Sequence, residues 1–264
     1  MNTSATEQYL SKCRSIIQTV ESQTAEIATA ADWFAGSIAK GRVVHLFGAG
    51  HSRIMVEEMW PRYGSFPGFN PIVELSLTFH NSVVGANGQR QAMFLENQPG
   101  LAARILRNFD LSTEDTALVI SSGGCNVVPI EMAELFQQAN IRVVAIVSKK
   151  HSEVSRSNRP DGKKLSDFAA LTLDTGADPG DAMVSIEGLE TPVAPGSTVG
   201  GCILINALKA ETAQRLVDLN KMPSVLTAAC LVGRERSIEL FEDAYDERAR
   251  RIARLFENVG RRKG

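Results

Sequence analysis

The chain has 264 residues, enough for one large domain with a sizeable core. With 44% hydrophobic and 22% charged residues it has an ordinary globular balance, and its formal net charge of −2 leaves no basic surface of the kind an obligate nucleic-acid partner requires. No apolar run reaches membrane-spanning length and the opening MNTSATEQYLSKCRS lacks a signal-peptide core, so the expected address is the cytoplasm, with no membrane partner.

Residues 7–40 carry Leu10, Ile16, Ile17, Val20, Ile27, Trp33, Phe34 and Ile38 at helical spacing without a proline, which predicts one long amphipathic helix or two. Gly41 ends it. Val43-Val44-His45-Leu46-Phe47 then reads as a buried strand running into the glycine turn Gly48-Ala49-Gly50-His51-Ser52. A helix is expected over 52–59, where Pro61 discourages its continuation. The Gly-, Asn- and Pro-rich stretch 63–98 holds a strand at 72–75 and a long irregular segment of the kind that often carries function.

A helix over 101–108 precedes the strand 116–120, which feeds a second turn, Ser121-Ser122-Gly123-Gly124-Cys125-Asn126. A helix over 127–139 and a near-continuous apolar strand at 142–147 follow, as expected of a parallel sheet buried on both faces. After the polar segment 148–164 come a weaker strand at 170–173, a helix over 198–219, a short strand around 225–229 and a charged helix over 235–258. Strands alternating with helices predict an α/β fold, a doubly wound parallel sheet with a helical layer on each face. The expected organisation is a single domain over 1–264: an N-terminal helix at about 4–40, an α/β core at about 41–232 and a C-terminal helix at about 234–260.

Cys13, Cys125, Cys202 and Cys230 are scattered without CxxC spacing, so neither a disulfide framework nor a zinc site is indicated. Cys125 lies in the second turn, but no paired histidine and acid marks it as a nucleophile. No metal or other cofactor is expected. The arginines near the C-terminal end, Arg248, Arg250, Arg251, Arg254, Arg261 and Arg262, are offset by Glu242, Asp243, Asp246, Glu247 and Glu257 and read as a solvated helix face.

Ligands in open parallel sheets bind beyond the carboxyl ends of the strands, where helix N-termini aim free N–H groups outward. Both turns meet that description. The first is not a dinucleotide fingerprint, because Arg53 stands where the third glycine belongs, and no Lys-Ser or Lys-Thr follows to make a P-loop. Two such turns together form an N–H- and hydroxyl-rich cradle for a small anion.

Gly48-Ala49-Gly50-His51-Ser52, the run from Ser121 through Val127-Val128-Pro129-Ile130-Glu131-Met132-Ala133, and Gly196-Ser197-Thr198-Val199-Gly200-Gly201 together resemble the sugar isomerase (SIS) domain family, and within it the phosphosugar-binding branch related to phosphoheptose isomerases. Ser148-Lys149-Lys150-His151-Ser152, Gly162-Lys163-Lys164-Leu165 and Pro179-Gly180-Asp181-Ala182 extend the likeness over about 40–232. The resemblance implies a five-stranded parallel sheet between helical layers. It also implies a homodimer or homotetramer with a sugar phosphate held at the sheet's carboxyl edge, near the subunit interface. Ser52 and Ser121 would supply hydroxyls to the phosphate beside the amides of 123–126, and Gly48, Gly50, Ser122, Gly123, Gly124, Asn126, Ser197 and Thr198 complete the implied binding set. One departure stands out. Gly123 occupies the position of the family's second serine, and losing a charge-assisted contact there costs roughly 1.5–3 kcal/mol. Ser122 or a backbone amide substitutes, or the ligand's anion is a sulfonate or carboxylate.

Aldose–ketose isomerisation needs a base that moves a proton between adjacent carbons, an acid/base for ring opening, and donors for the enediolate. Three carboxylates are candidates for the base. At roughly 100° per residue, His51 and Glu58 project within about 20° of each other, whereas Glu57 points away from Ile54, Met55, Val56 and Met59. Glu96 lies in the long loop where the related proteins tend to carry a glutamate, and Glu131 starts the helix after the second turn. His51, inside the cradle, and His80, in the long loop, are the candidates for ring opening; His45 sits mid-strand and reads as a core histidine. Arg62 neutralises a substrate anion or pairs with Glu58 or Glu57. Asp174, Asp178 and Asp181 read as turn formers. The leading reading is a sugar-phosphate isomerase. A lyase or etherase on the same scaffold and a non-catalytic sugar-phosphate sensor are the alternatives.

Overall fold

A computed structural model describes residues 4–78 and 88–259. Helices α1 (Ala5–Glu21) and α2 (Thr24–Ala39) precede β1 (Val44–Gly48), α3 (Arg53–Met59), β2 (Phe69–Ile72), α4 (Leu75–Thr78), α5 (Gln89–Leu95) and α6 (Leu101–Leu106). Then follow β3 (Thr116–Ile120), α7 (Val127–Gln138), β4 (Arg142–Val147), α8 (Lys149–Val154), β5 (Leu171–Asp174), α9 (Ser197–Asp218), α10 (Ala229–Val232) and α11 (Arg234–Phe256).

The five strands form one parallel sheet in the order β2-β1-β3-β4-β5. Because side chains alternate across a strand, each face is covered separately. Val44, Leu46, Leu118, Ile120, Val144, Ile146 and Leu173 pack with Phe34, Met55, Leu204 and Ala244 of α2, α3, α9 and α11. Phe47, Ala117, Val119, Val143, Ala145 and Val147 pack with Ile105 of α6 and Ile130 and Phe136 of α7. The expected doubly wound sheet with helices on both faces is thus observed. Its order reverses between β1 and β3, where a crevice opens at the carboxyl ends. Gly48 pairs with Ile120, so the turns leaving these strands stand side by side.

The N-terminal segment resolves into two helices. Ser4 caps α1, its hydroxyl accepting the Glu7 amide at 3.2 Å while Glu7 accepts the Ser4 amide at 2.8 Å. Between α1 and α2 the buried Gln23 side chain donates to the Asp174 carbonyl at 2.9 Å and accepts the Asp174 amide at 2.7 Å, tying the helices to the end of β5.

Three expected elements are corrected. The strand expected at 72–75 is Phe69–Ile72, with Pro71 inside it; β2 is an edge strand, where a missing N–H costs no ladder bond. The strand expected around 225–229 is not one: the Leu226 amide donates to the Ser65 carbonyl and the Gly64 amide to the Leu226 carbonyl, both at 2.8 Å, and α10 begins at Ala229. The polar segment 148–164 contains α8, capped by Ser148, whose hydroxyl accepts the His151 amide at 3.2 Å.

His45 is a core residue. Its ring stacks on Phe136 with centroids 5.4 Å apart, Nε2 meets Asp115 at 3.3 Å and Nδ1 meets the Asn70 amide nitrogen at 3.1 Å. Arg42 closes on the same carboxylate with contacts of 2.9 and 2.8 Å. Burial pushes the Asp115 carboxyl up, but hydrogen bonds from His45 and Arg42 outweigh it and hold the group at about 2. No described helix is long and apolar enough to cross a membrane.

Candidate functional site

At the end of β1 a Cβ on Gly48 would lie 2.7 Å from the Ser52 carbonyl oxygen, so only glycine lets the chain turn back this sharply. Gly50 and Gly124 adopt φ of +56° and +62°, which the two turns require. Between the turns lies a cleft of about 460 Å³. Gly50, His51 and Ser52 line it from the first turn and Ser121, Ser122, Gly123 and Asn126 from the second. The amides of Gly123, Gly124 and Cys125 donate to no described residue, and the Ser122 hydroxyl is buried there with no partner among the described residues. Unsatisfied donors around a polar hollow suit an anion.

Glu96, just past α5, also lines the cleft. Asn126 precedes α7 but does not cap it with its own side chain. Instead the Val128 amide donates to the Glu96 carbonyl at 2.9 Å, and the Asn97 side chain accepts the Val127 amide at 3.4 Å. Asn158 Nδ2 bridges Asn97 and Asn126 at 2.9 and 3.0 Å. The loop is thereby pinned to the start of α7, with the Glu96 carboxyl at the cleft. Burial pushes that carboxyl up to about 7, against the opposing hydrogen bond to Asn126.

The structure adds residues that the sequence reading did not select. His151 lines the cleft from α8 and packs against Gly123, where a Cβ would sit 3.3 Å from the ring; its Nδ1 is buried with no partner among the described residues. Arg156 and Asn158 line the far side, and Arg156 makes no salt bridge among the described residues. The available signal was positional: Ser148-Lys149-Lys150-His151 follows a third strand, β4, as the two turns follow β1 and β3. Cys125 also lines the cleft, but its thiol donates to the Gly123 carbonyl at 3.1 Å and burial pushes it up, away from thiolate character.

Other selected residues are not gathered there. Glu58 sits on the seam between α3 and α9, where Asn206 donates to one carboxylate oxygen at 2.9 Å and Arg62 to the other at 2.6 Å. Burial pushes it up, yet the Asn206 and Arg62 hydrogen bonds, with the charges of Arg62 and Lys209, hold it below the usual glutamate range. The expected alignment of His51 with Glu58 assumed one α-helix. Residues 50–52 form a 3-10 turn instead, whose larger rotation per residue breaks the phase. Glu131 accepts the Gly100 amide at 2.9 and 3.2 Å, at the N-terminus of α6. Gly48 and Gly124 shape the turns from behind; a Cβ on Gly124 would meet Val147 at 3.2 Å and Leu165 at 3.3 Å. Thr198 is half-buried on the first turn of α9, outside the cleft lining. Ser197 is buried beside it, between His51 and Asp181. His80 lies outside the described residues.

The three aspartates read as turn formers do hold backbone or pair with lysines. Asp174 accepts the Lys149 and Gly176 amides at 3.0 and 2.9 Å, and Asp178 pairs with Lys12 and Lys150 at 2.6 and 3.6 Å. Asp181 accepts the Gly196 and Ser197 amides at 3.0 and 2.7 Å.

A five-stranded parallel sheet with an anion-suited cleft at its point of reversal is the architecture of a sugar isomerase domain, and the chain belongs to that family: the SIS domain profile matches residues 8–148. Among particular relatives, a UPF0309 protein of Listeria innocua is 31% identical over 214 residues, 81% of this chain and 84% of its own length. A UPF0309 protein of Halalkalibacterium halodurans is 30% identical over 241 residues, 91% of this chain and 94% of its own. The phosphoheptose isomerase GmhA from Neisseria gonorrhoeae, at 12% identity, covers 77% of this chain and 95% of itself with a TM-score of 0.47. An Escherichia coli CFT073 protein solved in complex with A5P, at 14% identity, covers 92% of this chain and 100% of itself with a TM-score of 0.44.

Proposed function

We propose that the protein binds a phosphorylated or similarly acidic monosaccharide in the cleft and catalyses aldose–ketose isomerisation through an enediolate. The anion sits among the Ser52, Ser121 and Ser122 hydroxyls and the amides of Gly123, Gly124 and Cys125, with Arg156 supplying positive charge at the rim. The free amides compensate for Gly123 in place of a serine: a backbone N–H contributes the donor that the missing hydroxyl does not.

The observation that carries the catalytic reading is Glu96, a cleft-lining carboxyl that burial raises to about 7. A general base works best when its pKa lies near the working pH. As the ionised base, Glu96 takes the C2 proton of the open-chain aldose while the C1 carbonyl oxygen takes up a proton. The C2–H electron pair becomes the C1–C2 double bond of the enediol; the proton then returns to C1 as the C2 hydroxyl gives up its own, and the O–H pair forms the C2 carbonyl of the ketose. Glu96 replaces Glu58 as the preferred base because Glu58 is held ionised by Asn206 and Arg62 away from the cleft lining. His51 assists ring opening from the first turn.

The test is proton NMR of a panel of sugar phosphates in deuterated water. Deuterium entering at C2 together with a new ketose supports isomerisation, and Glu96→Gln should slow that exchange by roughly 100-fold or more while keeping ligand-induced thermal stabilisation. Loss of a substituent from the sugar would instead make the protein a lyase, and stabilisation without any exchange would make it a sensor.

A further inference from the structure

His51 is held from a distant part of the chain. Its Nε2 lies 3.2 Å from Ser197 Oγ, and Ser197 Oγ lies 2.6 Å from Asp181 Oδ2. Asp181 Oδ1 is occupied by the amides of Gly196 and Ser197, and Oδ2 stands 3.9 Å from the imidazole nitrogen. Ser197 is almost fully buried, so water does not compete for its hydroxyl.

Proton accounting along this row leaves one consistent arrangement. An ionised carboxylate can only accept, and this one stands at the N-terminus of the 22-residue helix α9, where the helix dipole favours the anion. The short Ser197–Asp181 contact therefore takes the single hydroxyl proton. What Oγ offers His51 is a lone pair, so Nε2 must bring the hydrogen. A neutral imidazole with its proton on Nε2 has a bare Nδ1. That Nδ1 makes no hydrogen bond to a described residue, and His51 lines the cleft.

We infer that Asp181, acting through Ser197, is a positioning residue that fixes neutral His51 in the Nε2–H tautomer and leaves Nδ1 as a proton acceptor for a bound ligand. Once Nδ1 takes a proton, the imidazolium keeps its Nε2–H bond to Ser197 and gains the nearby Asp181 charge. The catalytic use of this arrangement rests on the functional reading above; the tautomer itself does not.

The test separates the two. Full-length protein labelled with 15N in its histidines is examined above the imidazole titration, with His51 assigned by the signal lost in His51→Gln. Wild-type His51 should show the Nε2–H pattern. In Asp181→Asn the side-chain oxygen keeps the two backbone amides, while the new NH2 donates to Ser197 and turns the hydroxyl proton toward His51. The His51 pattern should invert to Nδ1–H. Ser197→Ala, which keeps the backbone contacts to Asp181, should give a mixture of tautomers and serves if the Asn variant fails to fold. A wild-type Nδ1–H or mixed pattern, or a pattern unmoved in both variants, overturns the inference whatever the activity. With a sugar phosphate that turns over, Asp181→Asn should lower kcat by roughly 100- to 10,000-fold and change KM only slightly, as expected when an orienting carboxylate is lost and the imidazole tautomer is wrong. If no sugar phosphate turns over, the isomerase reading fails while the tautomer result stands.

Discussion

Glu96, the proposed base, is costly to the folded state at neutral pH. Its folded pKa lies above that of a free glutamate, so the half-buried group favours folding fully only below about 4.5, and that contribution is lost as pH rises through about 7. Glu96→Gln removes the penalty. At pH 8 the variant should be more stable than wild type by roughly 3 kcal/mol in urea unfolding, with the gap closing near pH 4; equal stability at both values would show that folding does not raise the Glu96 carboxyl. For the active protein, kcat should rise with pH through about 7 as the base ionises. Arg156 is the opposite case, exposed and without a salt bridge among the described residues. Arg156→Gln should leave the melting temperature unchanged yet weaken a sugar phosphate about 10- to 100-fold in calorimetric titration, with no loss for the unphosphorylated sugar. Equal losses for both sugars would remove Arg156 from anion recognition.

At the scale of elements, α9 presents small residues where it crosses its neighbours. A Cβ on Gly200 would sit 2.0 Å from the Thr175 carbonyl oxygen, and one on Gly201 would sit 1.8 Å from Met55 Sδ. An interior helical glycine changed to alanine ordinarily gains about 1 kcal/mol. Here Gly200→Ala should instead lose roughly 2–3 kcal/mol, because backbone cannot yield as a side chain can. Gly201→Ala should lose less, since the Met55 thioether can swing aside. Thermal unfolding of the pair checks the order, and a stabilised Gly200→Ala would refute the close approach. The third glycine motif was legible in the sequence, but its packing role was not: close approach depends on what lies opposite. The same holds for Pro71, which is acceptable in β2 because that strand has one neighbour.

Over the whole molecule, the His45–Asp115–Arg42–Asn70 cluster ties β1 and β2 to the segment entering β3. The Asp115 carboxyl is held at about 2, below its unfolded value, so the stability it contributes is full above about 4 and lost as pH falls toward 2. Removing the carboxylate leaves the buried His45 Nε2 without its acceptor and takes the counter-charge from the half-buried Arg42, so Asp115→Ala should destabilise by about 3–5 kcal/mol at neutral pH. Its acid-unfolding curve should also lose the steep portion between about pH 4 and 2; an unaltered curve would assign acid sensitivity to other groups.

The continuous apolar runs along 43–47, 116–120 and 142–147, the glycine turns after two of those strands and the spacing of the family motifs are local properties, and they were sufficient to predict a doubly wound sheet and to point to its carboxyl edge as the place for a candidate anion site. Side-chain meeting across the fold was decided by the tertiary structure. Strand order put the β1 and β3 turns side by side, and a 3-10 turn rotated Glu58 away from the phase that helical geometry assigned it. A loop pinned to α7 carried Glu96 to the cleft, and α9 brought Asp181 and Ser197 to His51. Periodicity gives the direction of a side chain within its own element. Whether two carboxylates, or a histidine and its partner 146 residues away, face the same hollow depends on how elements pack, and no local pattern carries that.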